Sequence, residues 1–106
     1  MTENEKNLEA LLYSIEYSYL PKASKKVLIV LISAKHPIPL NIISKECNYS
    51  KPHVCAIIKR LEAQKLVKQT ESNTINFYTY TSECNKFLDI RQSIEFYQKK
   101  LKYKNI

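Results

Sequence analysis

The sequence predicts a small, mainly α-helical domain with one β-hairpin placed just before its last helix. Three observations lead there. Apolar residues recur at three- and four-residue steps through most of the 106 positions, which is the spacing of helices that bury one face. The exception lies between Leu66 and Thr81, where β-branched and aromatic residues stand on either side of a polar break. Glycine is absent from the chain, which removes glycine-rich phosphate loops and dinucleotide fingerprints from consideration.

Taken in order, Leu8, Leu11, Leu12, Ile15 and Tyr19 share one face of a first helix, while Glu5, Glu9 and Glu16 fall elsewhere on the wheel. Pro21 is expected to end it, because proline disfavours helical geometry in the residue before it and has no amide hydrogen to donate. Ser24 is expected to cap a second helix. Its apolar run, 27–32, is too continuous for a surface stripe and marks the central core helix. His36, Pro37 and Pro39 close that helix and leave Ile38 and Leu40 in a short extended piece that can pair with a later strand.

Residues 41–65 hold two helical patterns broken at Asn48, Tyr49 and Ser50. Asn48 suits the left-handed turn, and Ser50 is a cap followed by Pro52 in the first helical turn. Val54, Ile57, Ile58 and Leu61 form the buried face of the second of these helices. Residues 66–70 and 74–81 are the expected strands, joined by Glu71, Ser72 and Asn73. A last helix begins at Thr81 or Ser82, and Phe87, Ile90, Ile94, Tyr97 and Leu101 follow at heptad spacing. The chain thus divides into an N-terminal amphipathic helix (1–21), a central unit (22–82) and a C-terminal heptad helix (83–106), within one compact domain.

The net charge of +7 is unevenly spread. Residues 1–20 carry one Lys against four Glu, whereas residues 21–69 carry ten Lys or Arg against two Glu, and Arg91 with four Lys makes the end of the chain basic again. Such a balance points to a polyanionic partner, either nucleic acid or an acidic membrane surface. No apolar run approaches the roughly 20 residues of a membrane span. Residues 1–6 have neither the basic start nor the apolar stretch of a secretory signal. A cytoplasmic, nucleoid-associated protein that does not engage membranes is expected.

Cys47, Cys55 and Cys84 are too few and scattered for a disulfide scaffold. Together with His36 and His53 they lack the close paired spacing of a structural zinc site, so reduced thiols are expected, with no metal and no cofactor. Cys84, at the start of the last helix, is a candidate for an intermolecular disulfide. Neither histidine stands in a nucleophile arrangement and no carboxylates have paired catalytic spacing, so an enzyme is not expected.

Residues 42–67, IISKECNYSKPHVCAIIKRLEAQKLV, resemble the helix-turn-helix of winged-helix transcription regulators of the MarR and related archaeal families. In that motif a small residue on the first helix packs against the second, a left-handed residue makes the turn and apolar residues lock the angle. Ser44, Asn48, Tyr49, Val54 and Ile57 occupy those places. The likeness spans about sixty residues, 24–81, with Lys65 standing where these families place glycine. It implies a winged helix-turn-helix flanked by N- and C-terminal dimerisation helices, a homodimer on double-stranded DNA, and regulation of transcription as a repressor.

With the core face on Val54, Ile57, Ile58 and Leu61, helical geometry turns Lys51, Pro52, His53, Cys55, Ala56 and Lys59 outward as the DNA-reading surface, with Ser50 at its start. Arg60 and Lys68 are expected to add phosphate contacts, as are Lys25, Lys26 and Lys45, and Asn73 is expected to reach a minor groove from the wing. The helix front holds no arginine or asparagine for a bidentate base contact, which keeps open a low-specificity architectural role. A winged helix that buries a protein partner is a third reading. The expected dimer interface comprises Leu8, Leu11, Leu12, Ile15, Tyr19, Phe87, Ile90, Ile94, Tyr97 and Leu101, although such terminal helices can also pack back on their own domain. Any small-molecule effector is left undefined by the sequence.

Overall fold

The computed structural model describes residues 3–70 and 75–88, with side chains described from residue 8. Helices α1 (Glu3–Glu16) and α2 (Lys22–Ala34) lead into a two-residue strand, β1 (Ile38–Pro39). Helices α3 (Leu40–Cys47) and α4 (Lys51–Ala63) follow, then strands β2 (Val67–Thr70) and β3 (Phe77–Tyr80). A 3-10 turn at Ser82–Asn85 continues as helix over 86–88.

The first helix stops earlier than the proline alone predicts. It ends at Glu16 because Ser18 turns the chain: its hydroxyl donates to the Ile15 carbonyl at 2.7 Å and its oxygen accepts from the Leu20 amide at 3.4 Å. Tyr19 therefore lies beyond the helix. Pro21, expected to terminate α1, is instead the N-cap of α2, where its extended backbone leads into the first turn and its carbonyl accepts from the Lys25 amide at 3.0 Å. Ser24, expected as that cap, sits inside the helix and is buried.

Helix α2 is the hub. Val27, Leu28, Leu31 and Ile32 are fully buried, and the helix packs against α1, α3, α4 and β3. A single core joins these residues to Ile43 and Cys47 of α3, to Val54, Ile57, Ile58 and Leu61 of α4, and to Leu66, Val67, Cys84 and Phe87. The four-residue apolar face expected on α4 is the buried one.

The sheet has the order β1-β3-β2, antiparallel throughout. Ile38 stands opposite Tyr78 and Pro39 opposite Phe77, so the extended stretch expected after α2 does pair with the hairpin. Leu40, expected in that stretch, opens α3 instead. In the hairpin Thr70 pairs with Phe77. The second strand therefore starts at Phe77, and residues 75 and 76, expected within it, precede it; the turn expected at Glu71, Ser72 and Asn73 lies outside the described residues.

Among the described residues, three helices end on a left-handed residue that is not glycine: Lys35, Asn48 and Lys65, with φ of 62°, 57° and 63°. At α4 the closure is a complete Schellman arrangement. The Lys65 amide donates to Glu62 and the Leu66 amide to Leu61, both at 2.9 Å, while the Leu61 and Leu66 side chains are buried. The left-handed region costs a residue with a Cβ roughly 1–2 kcal/mol. Lys65→Gly is expected to raise stability by about 0.5–1 kcal/mol once the freedom glycine adds to the unfolded chain is subtracted, moving the thermal midpoint up by roughly 2–8 °C. An unchanged or lower midpoint in a calorimetric melt would contradict this.

Candidate nucleic-acid interface

The surface with the densest chemistry begins at the turn between α3 and α4. Asn48 takes the left-handed conformation, and Tyr49 is pinned at both backbone groups by one residue of α3. Its amide donates to the Ser44 carbonyl at 3.1 Å, and its carbonyl accepts from the Ser44 hydroxyl. The next residue, Ser50, caps α4: its oxygen accepts from the His53 amide at 3.3 Å, and Pro52 occupies the first turn, where its missing amide hydrogen costs nothing.

With α4 anchored from below, Ser50, Lys51, Pro52, His53, Ala56, Lys59 and Arg60 are all exposed on its outer side, and Lys68 is exposed on β2. Cys55 is half-buried, so it belongs to the flank of this surface and not to its crest. Asn73 lies outside the described residues, as do Ile90, Ile94, Tyr97 and Leu101.

Tyr49 carries two of the neighbouring cationic or ionisable groups. The Lys26 ammonium lies 4.9 Å from its ring centre and the His53 ring 4.7 Å from it, tilted by 47°. A cation over an aromatic face is held by the ring quadrupole. Lys26 of α2 and His53 of α4 are thereby set on the same side of the helix-turn-helix, a connection for which the sequence held no periodic signal.

The far end of α4 is tied to the start of the last helix. Thr81 Oγ1 donates to the Lys65 carbonyl, and the Leu66 carbonyl accepts from the Thr81 amide at 2.9 Å and from Cys84 Sγ at 3.4 Å. Thr81 also caps the 3-10 turn, its hydroxyl accepting from the Glu83 amide at 3.3 Å.

Two expectations need correction here. Cys84 is fully buried beneath this junction, so it does not present a thiol for a cross-link to a second copy. Burial pushes its thiol up to about 11, and burial likewise raises Cys47. Because the neutral thiol is the form favoured by folding, the Cys84 contribution to stability is complete below pH 9 and is lost as the pH rises from there through about 11. Native chains treated with iodoacetamide near pH 8 are expected to be modified at Cys55 alone, and at Cys47 and Cys84 only after denaturation. Rapid native labelling of Cys84 would refute its enclosure.

The second correction concerns the residues expected between copies. Leu11, Ile15 and Phe87 are 5, 0 and 0% exposed within the single chain, where they complete its own core. Leu8 and Leu12 are half-buried, and Tyr19, at 71% exposed, lies 6.1 Å from the Phe87 ring. Tyr13 and Tyr17, whose rings stack at 4.5 Å, are exposed beside them. The outward surface of this end of the molecule is therefore tyrosine-rich, which an apolar heptad count passes over.

Two helices joined by a left-handed turn, capped by a β-hairpin whose inner strand pairs with a short strand before them, decide the architecture. The fold is a winged helix. No protein-family profile matches the sequence, and no curated protein matches it. Solved structures do. A Staphylococcus aureus MepR variant bound to an oligodeoxyribonucleotide aligns with a TM-score of 0.67 at 15% identity, over 97% of this chain and 78% of that one. A MarR-family transcriptional regulator from Rhodococcus gives 0.62 at 15% identity, over 85% and 65% of the two chains. The Streptomyces coelicolor regulator PcaV, solved with its natural ligand, gives 0.60 at 14% identity over 85% and 68%. At these identities the likeness establishes a MarR-like winged helix as the fold. Among the described residues, no helix of this winged helix is long and apolar enough to cross a membrane.

Proposed function

We propose that this winged helix binds double-stranded DNA as a homodimer and regulates transcription by occupying an operator. The observation that carries the reading is the outward face of α4, where Lys51, Pro52, His53, Ala56, Lys59 and Arg60 are all exposed on a rod held by four buried aliphatic side chains. A helix so presented fits a major groove, and the cations beside it neutralise phosphates. The likeness in fold to a protein crystallised with an oligodeoxyribonucleotide supports the same reading.

In the proposed dimer, the surface of Leu8, Leu12, Tyr17 and Tyr19 and the residues beyond 88 meet their equivalents in a second copy. Two recognition helices then enter successive major grooves about 34 Å apart, and the target is an inverted repeat. The test is a titration of labelled duplex against salt, repeated with random-sequence competitor. Affinity that falls steeply with salt and resists competitor supports an operator-binding regulator. A flat salt response removes DNA from the reading.

One observation favours a second reading. The front of α4 offers lysine, proline, histidine and alanine and lacks the arginine or asparagine that makes bidentate base contacts. A preference for any single site below about tenfold assigns the chain to low-specificity coating of DNA.

A further inference from the structure

A crevice of about 330 Å³ opens between the recognition helix and the wing. Leu40 and Asn41 at the start of α3, Lys51 at the start of α4, and Ile75, Asn76 and Tyr78 on the hairpin side line it. Asn41, Lys51 and Asn76 are exposed, and Tyr78 is half-buried. Among the described residues its lining thus holds one cation, two carboxamides and a phenol, with two aliphatic side chains.

These groups are matched to one chemistry. The Asn76 side chain hydrogen-bonds the Tyr78 phenol, and burial with the nearby Glu62 keeps that phenol protonated, so its O–H stays available as a donor. Glu62 does not itself line the crevice. Amide N–H groups, a phenol O–H and an ammonium suit a phosphate, whose oxygens accept only. Leu40 and Ile75 suit the C–H face of a deoxyribose.

The place matters as much as the chemistry. When a recognition helix occupies the major groove and a wing reaches toward the adjacent minor groove, one sugar–phosphate strand separates the two. On this chain that strand must pass over the gap between Lys51 and Asn76. We propose that the crevice seats one sugar–phosphate unit of that strand, with Asn41, Asn76 and Tyr78 donating to the phosphate, Lys51 neutralising it, and Leu40 and Ile75 packing on the sugar. This rests on the DNA-binding reading above and adds to it a defined backbone contact. Its neutral donors set the register of the protein on the duplex.

The experiment measures duplex affinity by fluorescence anisotropy across a salt series for the wild type, the Asn41→Ala/Asn76→Ala double variant, Lys51→Ala, and Lys59→Ala as a control outside the crevice. Two hydrogen bonds to an anionic phosphate are worth about a hundredfold in affinity, so the asparagine pair should weaken binding by at least about tenfold with the salt slope unchanged. Lys51→Ala should lower the slope by about 0.9, and Lys59→Ala should do the same. A scan of single methylphosphonates along the duplex, made with the wild-type protein, should find several positions that weaken binding, one of them per protomer facing the crevice. At that position the asparagine substitutions should cost nothing more. Affinity of the asparagine pair within twofold of wild type, with the Lys59 effect intact, overturns the crevice proposal and leaves DNA binding standing. A wild-type affinity indifferent to salt overturns both.

Discussion

Replacing Lys59, Arg60 and Lys68 together with alanine is expected to remove three phosphate contacts and lower the salt slope of duplex binding by about 2.7. In practical terms, the loss of affinity between 50 and 200 mM salt should shrink by about fortyfold relative to wild type. The reason is local. All three side chains are exposed, two on the outer side of α4 and one on the adjoining strand, so each gives up its charge without leaving a cavity or an unpaired buried group. Surface substitutions of this kind change stability by no more than about 0.5 kcal/mol. A thermal midpoint equal to wild type, combined with an unaltered salt slope, would show that these cations lie off the DNA path and would move the interface elsewhere.

The second large effect is expected at Phe87. Its ring is fully enclosed within one chain and belongs to the same cluster as Leu28, Leu31 and Ile15. Truncation to alanine should cost about 3–5 kcal/mol, a large share of the 5–15 kcal/mol that holds a domain folded. The melt should fall by about 15 °C or more. Phe87 was also a natural choice for a contact between copies, and the two roles separate cleanly. A core residue lowers the midpoint of the chain itself, whereas an interface residue leaves a well-folded monomer. Circular-dichroism melts paired with sedimentation velocity distinguish them. A Phe87→Ala protein that melts like wild type and sediments as a monomer would reverse the assignment.

That ambiguity at Phe87 marks the limit of sequence reasoning for this fold. Periodicity located every described helix, because α2 and α4 each bury a contiguous aliphatic face. The turn at Asn48 and the cap at Ser50 were legible since both rest on local backbone chemistry that one or two residue types satisfy. The end of α1 was not, because it depends on Ser18 folding its hydroxyl back on Ile15, an option many serines have and few use.

The outward surface of α4 followed from the same periodicity, whereas the crevice beside it did not. Asn41, Ile75 and Asn76 come together only once β3 is paired in register with both β1 and β2. A signal did exist for part of this. Asparagine is poorly suited to a strand interior, so Asn76 within the stretch assigned to the second strand argued for a later start. Which of Leu8, Leu11, Leu12 and Ile15 faced inward could not be read from spacing, since an apolar stripe looks identical whether its own domain or a second copy covers it.

The order of the sheet bears on how copies of this protein can meet. With β3 in the middle, its backbone groups are engaged on both sides, and only β1 and β2 present edges. One edge is two residues long and includes Pro39, with Pro37 just before it, while the other carries Lys68. Proline withholds the donor that strand addition needs, and an edge lysine resists burial by an incoming neighbour. Edge-to-edge pairing is thereby discouraged on both flanks, which guards a concentrated solution against sheet-mediated aggregation.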